Sequence, residues 1–213
     1  LCSVARLEKE KNIEFIIKGI SELKKRLGST FRLLLIGDGT EREKLEEMVW
    51  ELDLEDEISF LGTLQQDEIT NYYRACNAFV FASKSETQGI VLLEAMAASL
   101  PVVAIKASGV EDVVCNGENG FMTEESVNEW AEKINLILTN QQLGERLRCR
   151  ASVTARDYSM VQIANQAAAY YNDIINNKEV TSEVGKKIKG ITRAKSRNSI
   201  LYLSRTNSQN MHY

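Results

Sequence analysis

The sequence predicts an α/β domain built on a doubly wound parallel sheet of about six strands. Three observations predict it. Short β-branched or aromatic runs alternate with longer stretches whose apolar residues recur at helical spacing, which is the order of βα units. The chain has 213 residues, 44% of them hydrophobic, enough for one full core with an appendage. Polar or glycine-rich segments follow several of the strand-like runs, where an open α/β sheet keeps its ligand loops.

Strands are expected at Leu1 to Val4, Phe31 to Ile36, Ile58 to Leu61, Ala78 to Phe81, Val102 to Ile105 and Gly120 to Met122. Helices fall between them. Asn12 is placed to cap a helix carrying Ile13, Ile16, Ile17, Ile20 and Leu23, and Thr40 with Glu43 has the spacing of a capping box. Asp67 caps a helix with Ile69, Tyr72 and Tyr73, and another begins at Gly89 or Ile90 and runs to about Ala98. In KASGVED, Glu111 stands at an expected helix start. Two further helices, about Val127 to Leu138 and Met160 to Ile175, complete a body that stops near Asn177. Pro101, the single proline, suits a stop after a helix, and NGENG at 116–120 reads as a turn set by backbone conformation.

The net charge of −4 is unevenly spread. Residues 178–213 hold eight Lys or Arg against two Glu, a net +6, which leaves −10 on residues 1–177. An acidic body argues against nucleic acid as a partner, because phosphate neutralisation supplies most of that affinity. The polar, basic tail reads as disordered, with contact to an anionic membrane surface as the alternative. No apolar run approaches the roughly 20 residues needed to span a bilayer, and no secretory leader opens the chain. Cys2, Cys76, Cys115 and Cys149 are scattered without C-x-x-C spacing, so neither a zinc site nor a disulfide framework is expected, and the default setting is the reducing cytoplasm. The only histidine, His212, is next to last, which weighs against histidine-centred catalysis.

Three loops carry candidate chemistry. After the first strand, ARLEKEKN places Arg6 and Lys11 before a helix, where cations oppose the macrodipole and call for a compensating anion such as a phosphate. The same two side chains could instead pair with Glu8 and Glu10 at the surface. After the second strand comes Gly37-Asp38-Gly39, a tight turn that permits close approach of backbone to a ligand. It is neither the dinucleotide fingerprint, which belongs after the first strand, nor a phosphate loop of the G-K-[ST] kind. After the fourth strand, SETQGIVLLEAM sets Glu86 in a loop and Glu94 in the helix that follows, eight positions on. Helical side chains lean toward the N-terminus, so Glu94 can reach toward whatever the first-turn N–H groups bind. A carboxylate repels phosphate but accepts from hydroxyls, so a nucleotide sugar suits the pair: its anion on the helix N-terminus and a polyol at each end. Two acids near a helix start could also simply complement its dipole. Among Val91, Leu92, Leu93, Ala95 and Met96, however, an unpartnered carboxylate would be costly to bury.

Taken together, Arg6-Leu7 with Glu10-Lys11, Gly37-Asp38-Gly39, Phe60-Leu61-Gly62, Glu86 to Glu94 followed by AMAASLPVVA, Ser108-Gly109-Val110-Glu111 and NGENGF resemble glycosyltransferase family 4, the group 1 glycosyltransferases. The likeness runs in order through residues 1–177. It implies one Rossmann-like half of a GT-B fold, the carboxyl-terminal half that binds the donor. By that resemblance Arg6 and Lys11 hold and stabilise the departing diphosphate, Glu86 contacts the transferred sugar, and Glu94 takes the ribose hydroxyls. Gly37 and the backbone around Gln88, Gly89, Ile90 and Val91 complete the nucleotide-sugar contacts, and no metal or other cofactor is implied. Retention of anomeric configuration is implied as well. The stretch from Ser85 to Ala104, with ASGVEDVV at 107–114, is most similar to bacterial diacylglycerol α-glucosyltransferases, which implies UDP-glucose as donor, a lipid or glycan acceptor, and a cytoplasmic enzyme peripheral to the membrane. The chain departs from the family pattern at Ala5, at Thr87-Gln88 and at Ser99, and it opens inside a strand with the acceptor half missing. The polypeptide is therefore expected to bind donor weakly and transfer little. Two other classes stay open: another nucleotide-sugar enzyme such as an epimerase, and a non-catalytic nucleotide-binding or interaction module.

Overall fold

The computed structural model describes residues 1–28 and 30–175. They form six strands, β1 (Cys2–Val4), β2 (Leu33–Ile36), β3 (Ile58–Gly62), β4 (Phe79–Phe81), β5 (Val102–Ile105) and β6 (Gly120–Thr123). The helices are α1 (Ile13–Leu27), α2 (Arg42–Glu51), α3 (Gln66–Ala75), α4 (Ile90–Ala97), α5 (Ser108–Glu111), α6 (Val127–Thr139), α7 (Gln141–Asp157) and α8 (Met160–Ile175). All strand pairs are parallel, in the order β3-β2-β1-β4-β5-β6. The described chain divides into two compact units, one ending at Tyr158 and the second opening at Ser159 with α8 in it. The basic stretch from Lys178 and His212 lie outside the described residues.

Side-chain alternation along the strands builds two cores, one on each face of the sheet. Leu33, Leu35, Val80 and Val103 point to one face, where Ile16, Ile17 and Ile20 of α1, Leu45 of α2 and Trp130 of α6 cover them. Phe79, Phe81, Val102 and Ala104 point to the other, under Tyr73 of α3, Leu92 and Met96 of α4, and Ala151 of α7. Trp130 is wholly buried and meets Phe15 edge to face, with ring centroids 5.7 Å apart.

Every expected strand is present within two residues of its expected bounds, and β5 matches them at both ends. The helices begin where expected at Ile13, Ile90, Val127 and Met160, and the differences lie in the caps and in α2, α3 and α5. Asn12 precedes α1 but lies in the left-handed region at φ 55° and leaves the helix uncapped; its amide donates to Glu125 instead. The Thr40–Glu43 capping box does not form, since the Thr40 hydroxyl donates to Glu8 at 2.9 Å and Glu41 takes the cap position. Around Asp67 the cap is Gln65, which shares a reciprocal capping box with Glu68. Glu111 ends α5 rather than starting it. The 17 residues of α7 have no counterpart among the expected helices, because only Leu147 and Ala151 are buried in a helix otherwise rich in polar and charged residues.

Candidate active site at the carboxyl ends of β1 and β4

The strand order reverses between β1 and β4, so the loops after these two strands diverge and leave a crevice at the switch point. A cavity of about 280 Å³ occupies it. Its apolar walls are Val4, Phe81, Ile90 and Val91, and its polar groups are Lys11, Glu86 and Glu94. Three of the four charged side chains singled out in the sequence therefore meet in one space.

Lys11 is delivered by a backbone that neighbouring loops hold in place. The chain leaves β1 with the Ala5 N–H on the Ile36 carbonyl and the Leu7 N–H on the Asp38 carbonyl, then closes a 3₁₀ turn over Lys9–Lys11. Gly37 makes this approach possible: its φ is +132°, and a Cβ there would lie 1.9 Å from the Ala5 carbonyl oxygen. Gly37 thus stands behind the cavity wall and is not among its lining residues. From the other side, the Glu10 carbonyl accepts from the Ser83 hydroxyl and the Lys84 N–H, both at 3.4 Å. Among the described residues Lys11 has no ion pair, although it sits before a helix N-terminus that favours negative charge.

Arg6 lies elsewhere. Its side chain is 72% exposed and donates to Glu10 at 3.3 Å, the surface pairing that the sequence left open. It does not line the cavity.

Glu86 is fixed by its own loop. One carboxylate oxygen, Oε1, accepts from the Gln88 N–H at 3.2 Å and from the Gly89 N–H at 2.9 Å. These two N–H groups, expected to face a ligand, are thereby committed to Glu86. Its Oε2 has no partner among the described residues and is open to a ligand hydroxyl. The next two N–H groups, of Ile90 and Val91, are the first-turn donors of α4 and have no acceptor among the described residues. Glu94, one turn into α4 and half-buried, presents its carboxylate to the same cavity.

The sequence reading missed two features of the surroundings. The Tyr73 hydroxyl is buried without a hydrogen-bond partner; burial raises its pKa, and the Glu94 carboxylate raises it further. Ser83, fully buried, anchors the Lys11 turn, and only its place directly after a strand could have flagged it. The described residues contain no cluster of three or more His, Cys, Asp or Glu able to hold a metal, and none of their helices is long and apolar enough to cross a membrane.

Comparisons with known proteins bear on the family and the fold. A family model described as glycosyl transferases group 1 matches residues 1–154. The alpha-monoglucosyldiacylglycerol synthase of Acholeplasma laidlawii is 29% identical over 182 residues, covering 84% of this chain and 45% of its own length. A sulfoquinovosyl transferase of Arabidopsis thaliana is 34% identical over 146 residues, covering 67% of this chain and 27% of its own. The solved structure of Anabaena HepE in complex with UDP-glucose superposes with a TM-score of 0.70 at 27% identity, over 81% of this chain and 48% of that one. The C-terminal domain of a group 1 glycosyl transferase from Francisella tularensis gives a TM-score of 0.67 at 26% identity, over 74% of this chain and 84% of that one. The chain spans about half the length, or less, of the curated relatives it matches.

Proposed function

The chain belongs to the group 1 glycosyl transferases, and from that premise we propose that it is the donor-binding, Rossmann-like half of a retaining GT-B enzyme. The enzyme moves a hexose from a nucleotide sugar, with UDP-glucose the first candidate, to a lipid or glycan acceptor. What carries the reading is one arrangement: an unpaired lysine and two carboxylates around one cavity, beside two free N–H groups of a helix N-terminus. A ligand that is anionic in its middle and rich in hydroxyls at both ends fits that set of groups.

In this reading the diphosphate sits between Lys11 and the Ile90 and Val91 N–H groups, where the α4 dipole adds to the attraction. Glu94 accepts from the ribose hydroxyls, and the open Oε2 of Glu86 accepts from a hydroxyl of the sugar. Arg6 joins by exchanging Glu10 for a phosphate oxygen. An exposed i,i+4 pair contributes only about 0.3–0.5 kcal/mol, whereas a charge-assisted bond to a phosphate contributes about 1.5–3 kcal/mol, so the exchange runs downhill. Lys11 and Arg6 then neutralise the charge that develops as the diphosphate leaves, and every 1.36 kcal/mol or so of that stabilisation multiplies the rate tenfold. No metal enters this scheme. The acceptor arrives from the half that this chain does not include, and the reading places the enzyme in the cytoplasm, with the basic stretch after Lys178 against the membrane's inner face.

Calorimetric titration of the chain with UDP, UDP-glucose and GDP-mannose tests the reading. Binding of one nucleotide sugar that is lost in Glu94→Ala supports it. A folded chain that takes up no nucleotide would favour the non-catalytic module.

A further inference from the structure

Glu86 is held at both ends, and one of the holds comes from outside its own loop. Its carboxylate accepts from Gln88 and Gly89, while its main-chain carbonyl accepts from the Gly109 N–H at 2.9 Å. Gly109 is buried within α5, at the exit of β5, and touches the Glu86 loop over its whole width. A Cβ on Gly109 would lie 2.8 Å from the Thr87 carbonyl carbon, 2.9 Å from the Gln88 nitrogen and 2.9 Å from the Glu86 carbonyl oxygen. All three are backbone atoms, so no flexible side chain can yield. The contact is mutual, since a Cβ on Gly89 would lie 2.8 Å from the Gly109 carbonyl oxygen.

We propose that Gly109 is a positioning residue for sugar recognition: by clamping the backbone of Glu86 to Gln88 it aims Glu86 into the cavity. The inference rests on the donor-binding reading above and deepens it. Lys11, on the turn after β1, and Glu94, one turn into α4, lie outside the clamped backbone; Glu86, which reads the sugar, lies in it. The fit has a consequence for substitution. The methyl group of alanine pushes the 86–88 backbone outward, moves the two N–H donors off Glu86, and turns Oε2 away from the sugar.

The experiment compares the affinities of UDP and UDP-glucose for the wild-type chain and Gly109→Ala. The expected result is a fall of about tenfold or more in the ratio of UDP-glucose to UDP affinity, the scale of one lost hydrogen bond to a charged group, with UDP affinity within about twofold of wild type. Adding Glu86→Gln to Gly109→Ala should change that ratio no further, because both act through one group. In the wild-type chain, exchange of the Gly109 amide hydrogen should slow more with UDP-glucose than with UDP, a measurement that needs no variant to fold. An unchanged ratio in Gly109→Ala, an equal loss of both ligands, or Gly109 exchange that the sugar does not slow overturns the proposal. A wild-type chain that binds neither ligand overturns the donor-binding reading itself.

Discussion

The two ends of α1 carry lysines in opposite circumstances. At the C-terminal end Lys24 complements the helix dipole and pairs at 3.0 Å with Glu57, whose side chain has no solvent exposure. Lys25 and Arg26 beside it both pair with Glu22. Before the N-terminal end Lys11 opposes the dipole, pairs with no acid among the described residues, and faces a cavity. Charges at the first end satisfy one another, whereas the charge at the second has no acid partner among the described residues. The difference teaches where to look for a ligand: at the cation whose placement costs stability rather than adding to it.

The largest expected effect attacks the support of the N-terminal end. Gly37→Ala forces alanine to a φ of +132° and against the Ala5 carbonyl, which should cost about 3 kcal/mol or more by denaturant unfolding. A loss below 1 kcal/mol would mean that the turn moves aside freely and does not brace the Lys11 loop. Next, Lys24→Ala removes the ion pair between Lys24 and the buried Glu57 carboxylate. One partner removed from a buried pair costs about 3–5 kcal/mol, and with Lys24 itself 32% exposed the lower end, about 3 kcal/mol, is expected. UDP affinity should not move. Lys11→Ala should do the reverse: UDP affinity drops by about 1.5–3 kcal/mol, while the melting temperature stays level or rises slightly as the opposed dipole is relieved. Comparable destabilisation by both lysine variants would erase the contrast between the two ends.

The smallest effect is on pH. Lys84's hydrogen bond holds the Glu125 carboxyl below its ordinary value of 4.5; burial opposes it, and a hydrogen bond from Asn12 adds to the lowering. A depressed carboxyl stabilises the fold above the unfolded value and loses that contribution as pH falls through the folded one. The brace it forms from Lys84 to Asn12 at the head of α1 should therefore be constant from pH 7 down to about 4.5 and weaken below that. Melting curves for Glu125→Gln in low salt should show a shallower acid slope than wild type; parallel slopes would remove Glu125 from the account.

Much of this was legible in advance because it is local. A buried parallel strand announces itself by β-branched and aromatic residues, as at Val102 to Ile105, and the start of α4 at Ile90 follows from the glycine before a long apolar run. The convergence of Glu86 and Glu94 was legible too, since a loop and the helix it enters are covalently close. Competing partners were not. Thr40 lost its capping role to Glu8, 32 residues away, and the Gln88 and Gly89 N–H groups went to Glu86 because its loop curls back on itself. Arg6 and Lys11 look equivalent in ARLEKEKN, and only the turn between them sends one to the surface and the other into the crevice.

By itself, then, the sequence determined the alternation of strands and helices, the two-faced apolar pattern and the spacing of the acids, all of which depend on periodicity within a segment. Tertiary structure alone decided that β1 lies beside β4, and so that Lys11 meets Glu86. That adjacency comes from two helical layers packing against opposite faces of one sheet and from glycines such as Gly37 and Gly109 that let backbone fit against backbone. Contacts of that kind are set by the shape of the whole core, and no single segment encodes them.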